Sequence, residues 1–211
     1  MGESVKRPYV SARREEQARE TRRRILAAAH DLFVAKGYGR TTIAEVAREA
    51  GVAVETIYAV FRNKPTLLHR VWDVTVGGDD EDVLVHERPE LLAVRHEPDL
   101  ATRLRRLAAV NTGLARRFAP LMIALRGAAA SDPAALAMLA ETDRQRRESM
   151  SVHAREAAAT GRLAVSEEEC LDVLWATTDG SLWHRFVREL NWPDERYADW
   201  LGRLWVSMLV R

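Results

Sequence analysis

TTIAEVAREAGVAVETIYAVF, residues 41–61, is the stretch that decides the fold. Thr42 stands three residues before Glu45, the spacing of a capping box, so a helix opens at Ile43. Ile43, Val46 and Ala47 place apolar side chains on one face, and Gly51 ends that helix after Ala50. A second helix fits Val54–Phe61. Two short helices joined by a tight turn form a helix-turn-helix. With Ile43, Val46, Ala47, Val52, Ile57 and Phe61 turned inward, Glu55, Thr56, Tyr58 and Ala59 lie on the outer side of the second helix. A helix of this width fits the major groove of DNA, and its N-terminal residues meet base edges there.

The pattern continues on both sides. Upstream, Ile25, Leu26, Ala29, Leu32 and Phe33 recur as one buried helix face, and Gly37 and Gly39 stop that helix. Downstream, a fourth helix begins near Asn63, tolerates Pro65 in its first turn, and runs to about Val76 before Gly77 and Gly78. Residues 77–98 read as a connection containing the acidic run Asp79–Asp82 and Pro89 and Pro98, with a short helix over Pro89–Arg95. Long helices are predicted over 99–117, 120–130, 133–159, 166–190 and 194–210, with Pro120, Pro133, Gly161 and Pro193 as their breaks. No segment alternates convincingly as a strand. The fold class is therefore all-α. A basic arm and helix-turn-helix domain occupies residues 1–70, and a larger helical regulatory and dimerisation domain occupies 71–211.

The charge is divided along the same line. Residues 1–70 carry 14 Lys/Arg against 8 Asp/Glu, and residues 71–211 carry 18 against 23, although the whole chain is only +1. A basic head on an acidic body points to a polyanion met by the head alone. One cysteine, Cys170, excludes an intrachain disulfide and a cysteine-rich zinc site. No apolar run reaches the length that spans a bilayer, and the N-terminus is charged from Lys6 without an apolar signal segment. The expected compartment is the cytoplasm, with no membrane partner.

RRRILAAAHDLFVAKGYGRTTIAEVAREAGVAVETIYAVFRNKPTLL, residues 22–68, resembles the DNA-binding domain of the tetracycline-repressor (TetR/AcrR) family of transcriptional regulators, and the likeness is close over about residues 19–72. The IL–AA–LF helix, the GY turn, Thr-Thr, the AGV turn, Thr-x-Tyr, Phe, Lys and Leu-Leu all stand at family spacing. The resemblance implies a dimeric repressor released from a palindromic operator in double-stranded DNA by a small-molecule inducer. It implies that Thr42 holds a phosphate, that Thr56 and Tyr58 contact phosphate or base edges, and that Lys64 reaches the DNA backbone. Ala53 departs from the family, which often has a Ser there to cap the recognition helix; alanine forgoes a cap worth about 1 kcal/mol and a phosphate contact. Ala59 replaces a commonly larger, polar residue. Glu55 faces outward, either to read a cytosine amine or as a solvated charge. Arg13, Arg14, Arg22, Arg23 and Arg24 form an arm that lies against phosphates or is a solvated face, since Glu15, Glu16 and Glu20 interleave with it.

In that family the last two helices pair with those of a second chain. Here Tyr197, Trp200, Leu201, Leu204, Trp205, Met208 and Leu209 form a helical stripe, and the preceding segment adds Leu171, Leu174, Trp175, Leu182, Trp183 and Phe186. The homodimer interface is accordingly expected at Leu171, Leu182, Trp200, Leu204, Trp205 and Met208, although part of the stripe serves the monomer's core. The family also implies a ligand cavity in the body. Its candidate wall residues are Trp72, Met122, Arg126, Met138, His153, Trp175, Asp179 and Trp183. Arg126 and Asp179 are charges in apolar surroundings, which need a partner or water. Arg126 fits an anionic ligand or a carboxylate partner; Asp179, beside Gly180, also fits a kink.

Two other classes fit less well. Asp79, Asp80, Glu81 and Asp82 superficially resemble the magnesium-chelating aspartates of an isoprenoid synthase, but they follow two glycines, lack helical DDxxD spacing and have no second acidic motif. An architectural DNA-binding protein would be basic throughout, which the acidic body contradicts. No nucleophile–base set, phosphate loop or metal-spaced histidine cluster is visible, so neither enzymatic activity nor any cofactor or metal is expected.

Overall fold

The structure, a computed structural model, describes residues 7–78 and 89–211, with side chains from residue 13 onward. The acidic run Asp79–Asp82, read above as a solvated linker, and the first six residues lie outside the described residues. The elements are α1 (Arg7–Lys36), α2 (Ile43–Ala50), α3 (Val54–Phe61), α4 (Lys64–Gly77), α5 (Pro89–Arg95), α6 (Leu100–Ala129), α7 (Pro133–Ala159), α8 (Glu167–Thr177), α9 (Ser181–Trp183) and α10 (Asp194–Leu209). The chain is all-α. Its one extended pairing among the described residues is an isolated antiparallel bridge between Leu163 and Val210.

Short polar residues start several of these helices, as free N–H groups at a helix N-terminus require. Asn63 Oδ1 accepts from the Thr66 N–H at 2.8 Å, Asp99 Oδ2 from the Thr102 N–H at 2.8 Å, and Ser166 Oγ from the Glu169 N–H at 3.1 Å. Asp132 Oδ1 accepts from both Ala134 and Ala135 at 2.9 and 3.3 Å. α2, α3 and α7 have the bounds expected from the sequence, and α5 forms over the predicted Pro89–Arg95.

Two helix boundaries are corrected. Pro120 does not divide two helices: α6 runs unbroken from Leu100 to Ala129 with Pro120 inside it. A mid-helix proline forfeits one backbone hydrogen bond at a cost of about 3 kcal/mol. Here Phe118, Ala119, Leu121, Met122 and Leu125 are all buried around it, and that apolar packing offsets the loss. Residues 166–190 are not one helix either. α8 stops at Thr177, Gly180 takes a left-handed conformation (φ 83°), and α9 leads into a π-helical segment, His184–Glu189. The arginine-rich arm is part of α1, which reaches back to Arg7. Its side chains from Arg13 to Glu20 are exposed, and Arg19 pairs with Glu16 at 2.8 Å, one turn apart.

The head closes over Ile25, Leu26, Ala29 and Phe33 of α1, Val46 and Ala47 of α2, Ile57 and Phe61 of α3, and Leu67, Leu68 and Val71 of α4, all buried. α6 is the central rod of the body. It packs most extensively on α10, and also on α7, α5 and α9, while touching α1 and α4 of the head. Trp205, expected at a subunit interface, is instead fully buried within the single chain, with its indole N–H donated to Thr177 Oγ1 at 2.9 Å. It lies on the inward side of α10 with Tyr197, Leu201 and Leu209, all buried, so it serves the chain's own core.

The break at Gly180 is set by close approach: a β-carbon there would lie 2.8 Å from Phe118 Cε2 and 3.0 Å from Ala119 Cβ of α6. Gly180→Ala combines that clash with a positive φ and is expected to destabilise the chain by about 1–3 kcal/mol, measured by urea unfolding.

Candidate nucleic-acid interface

The candidate reading unit is built on α2 and α3. Thr42 closes the predicted capping box: its Oγ1 accepts from the Glu45 N–H at 3.2 Å, and Glu45 Oε2 accepts from the Thr42 N–H at 2.9 Å and its hydroxyl at 3.0 Å. Glu45 also pairs with Lys36 at 2.7 Å, across the turn from α1. The Lys36 hydrogen bond, followed by those from the Thr42 backbone and hydroxyl, holds the Glu45 carboxyl down at about 2. Thr41, the other half of the Thr-Thr pair, is buried and donates to the carbonyls of Leu32 and Gly37 at 3.2 and 3.0 Å. It thereby fastens the entry of α2 to the end of α1.

α2 ends at Gly51 (φ 64°), whose N–H returns to the Arg48 carbonyl at 3.2 Å. Arg24 of α1 donates to the Ala50 carbonyl at 3.2 Å, a cation on the negative end of α2. α3 then starts at Ala53 with no side-chain cap. Ile57 and Phe61 anchor α3 in the core, while Glu55, Tyr58 and Ala59 are exposed and Thr56 is half-buried. Tyr58 presents a large aromatic half open to solvent, at 50% exposure. Of the residues expected inside, Ile43 and Val52 are only half-buried.

Lys64 opens α4 and is half-buried. Its Nζ lies 4.1 Å above the centre of the Tyr38 ring and 3.5 Å from the Gly39 carbonyl oxygen. Tyr38 is the aromatic of the GY turn. It is buried edge-on against Phe33, with ring centres 5.2 Å apart. Burial pushes its hydroxyl up to about 12, helped by the Asp132 carboxylate at the start of α7. The same burial holds Lys64 below the usual lysine range, against the pull of Asp132. The ammonium is thus seated on an aromatic platform at the edge of the interface. The sequence marked Lys64 but not its platform; the GY turn was the available signal.

Residues 25–71 match the sequence model of bacterial regulatory proteins, tetR family. The likeness to that family is carried by these residues, the segment from the middle of α1 to α4. Over 106 residues the chain is 38% identical to the HTH-type transcriptional regulator TtgR of Pseudomonas putida, a match covering 45% of this chain. The chain spans half the length of that curated relative. The fold extends further than the sequence likeness. NalD of Pseudomonas aeruginosa, described as the secondary repressor of the MexAB-OprM multidrug efflux pump, superposes with a TM-score of 0.65 at 21% identity, over 92% of this chain and 98% of that one. SmeT, solved as its complex with triclosan, gives 0.65 at 22% identity, over 90% and 92%.

In the body the expected cavity residues fall in separate places. Trp72 packs on Phe118 with ring centres 5.8 Å apart, and Trp72, Met122, Met138 and Trp183 are buried. The Trp183 indole N–H donates to Asp194 at 2.7 Å. Arg126 and Asp179 do meet, at 2.6 Å, and Arg126 also bonds Ser181, so Arg126 is paired with a carboxylate. Burial would raise the Asp179 pKa, but hydrogen bonds from Ser181 and Arg126 outweigh it and hold the carboxyl low. Trp175 is half-buried, the guanidinium groups of Arg146 and Arg147 lie 5.0 and 5.4 Å from its ring centre, and its indole N–H has no partner among the described residues. A cleft of about 430 Å³ between α1 and α4 is lined by Arg23, Leu26, Ala27, His30, Val71, Val74 and Thr75, none of them a cavity candidate.

His153 is buried, and its Nδ1 has no partner among the described residues. Burial holds its pKa down to about 4; Glu156 opposes that, and Arg95 and Arg103 reinforce it. The unfolded chain binds this proton near pH 6.5, so stability is fully present above that value and falls by up to about 3 kcal/mol as pH drops towards 4. His153→Gln is expected to flatten this part of a stability–pH curve. In the helix-turn-helix, Ala53→Ser is expected to supply the missing cap and stabilise the fold by about 1 kcal/mol in thermal unfolding.

Proposed function

We propose that this chain is a cytoplasmic, homodimeric transcriptional repressor that binds a palindromic operator through α3 and is released by a small-molecule inducer. The observation that carries the DNA-reading part is the exposed face of α3, with Tyr58 and Glu55 outward, on a helix anchored from behind by Ile57 and Phe61. Residues 1–70 are the reading head and 71–211 the regulatory and dimerising body; α4 spans that boundary and ties one to the other. Thr42, Ala53, Glu55, Thr56, Tyr58 and Lys64 form the DNA face. The Thr42 hydroxyl must share its bond to Glu45 with a phosphate, which makes it the weaker contact. The chain acts by occluding DNA and not as an enzyme, in keeping with relatives that are transcriptional regulators.

Dimerisation is assigned to the outward stripe of α10, where Trp200 and Leu204 are half-buried and Met208 is 45% exposed, together with half-buried Leu171 and Leu182. These apolar groups are only partly covered in the single chain, and Met208 is the most open of them. The inducer reading rests on the resemblance to ligand-responsive regulators; the SmeT complex with triclosan is one solved case in a protein of the same fold. Its site is assigned to the body, among Trp72, Met122, Arg126, His153, Trp175, Asp179 and Trp183.

Selection of bound fragments from sheared genomic DNA is expected to enrich one palindrome; no enrichment and no salt-sensitive binding would overturn the reading. Tyr58→Ala and Lys64→Ala are each expected to weaken binding of the enriched duplex roughly tenfold with unchanged circular dichroism. Met208→Glu is expected to shift the chain to monomer in sedimentation and to cost palindrome binding with it.

A further inference from the structure

The recognition helix α3 carries Glu55 and no Lys or Arg. A helix of net negative charge lies against a polyanion only if its flanks supply cations. Nearby cations are held by contacts within the chain, and of these Lys64 is the one placed on the DNA face. Lys64 sits on Tyr38, Arg40 Nε donates to the Lys36 carbonyl at 2.8 Å, and Arg24 holds the end of α2. Arg62, the residue directly after α3, is exposed, and its side chain makes no hydrogen bond or ion pair among the described residues.

The backbone at Arg62 is unusual. Its φ of 63° and ψ of −47° place a residue with a β-carbon where glycine is favoured. The Asn63 N–H donates to the Phe61 carbonyl at 2.7 Å, closing a three-residue γ-turn of the rare, strained hand with Arg62 at its centre. The turn is braced on both sides: the Arg62 N–H donates to the Tyr58 carbonyl at 2.9 Å, and Asn63 caps α4. A long cation is thus held at a strained corner between the reading helix and the helix that carries Lys64.

We propose that Arg62 is a phosphate-contacting residue of the DNA interface, supplying the positive charge that the recognition helix lacks. This rests on the DNA-reading role proposed above. It explains why an arginine occupies a corner whose backbone favours glycine: the side chain acts on the DNA and contributes nothing to the fold.

The test uses the full chain, the duplex enriched by selection, and a scrambled duplex of equal length, titrated over a range of salt. Arg62→Gln removes the charge and keeps the strain; Arg62→Gly removes both. Both are expected to weaken binding of the two duplexes about five- to tenfold at moderate salt and to make the slope of log K against log salt shallower by about one. Arg62→Gly is expected to unfold at or above the wild-type temperature, so binding falls while stability does not. Wild-type affinity and slope in both variants would overturn the assignment of Arg62 alone. Loss of binding only in proportion to loss of folded protein would likewise assign it a structural role. A wild-type chain that binds neither duplex would overturn the DNA reading together with this one.

Discussion

The packing that keeps α6 whole through Pro120 is the constraint on which the rest of the structure depends. A break at that residue would give two shorter helices free to diverge, and the body would lose its common axis. Instead one rod of 30 residues receives α10 along much of its length, α7, α5 and α9 around it, and α1 and α4 where head and body meet. The buried run Phe118, Ala119, Leu121, Met122 and Leu125 surrounds the proline on both sides, so the lost hydrogen bond is outweighed by apolar burial. Gly180 shows how tightly neighbours press on the rod, since its Cα approaches Phe118 and Ala119 too closely for a side chain.

That rod gives the head a firm mount and the body a route to it. α4 has Lys64 at its first residue and Trp72 against Phe118 of α6 two turns later. A single helix therefore joins α6 to the edge of the candidate DNA interface. Asp132, at the start of α7, bears electrostatically on both Tyr38 and Lys64, a second link between the body and the same edge. Coupling of this kind needs two arrangements of one packed element, not a deformable interior.

The helix-turn-helix was largely legible in the sequence because its signals are local. The Thr42–Glu45 capping box, the left-handed Gly51 and the helical spacing of Val46, Ala47, Ile57 and Phe61 act within a few residues of one another, and the structure has α2 and α3 where they place them. Ala53 stands uncapped, as its lack of a hydroxyl requires. The platform beneath Lys64 and the γ-turn at Arg62 were not legible. Tyr38 and Lys64 are 26 residues apart and meet only after α1 and α4 pack, and nothing in Phe61-Arg62-Asn63 announces a positive φ on an arginine.

The sequence by itself determined an all-α chain, the helix-turn-helix and which side chains of α3 face outward, since periodicity, caps and turn glycines are properties of neighbouring residues. Tertiary structure alone decided the continuity of α6, the break at Gly180, and the division of the last helix into a core side with Trp205 and an outward side with Met208. Each of those depends on what lies across the interface. A proline is tolerated where packing outweighs one hydrogen bond, a glycine is required where another helix comes within 3 Å, and an apolar stripe is core or surface according to whether the same chain covers it.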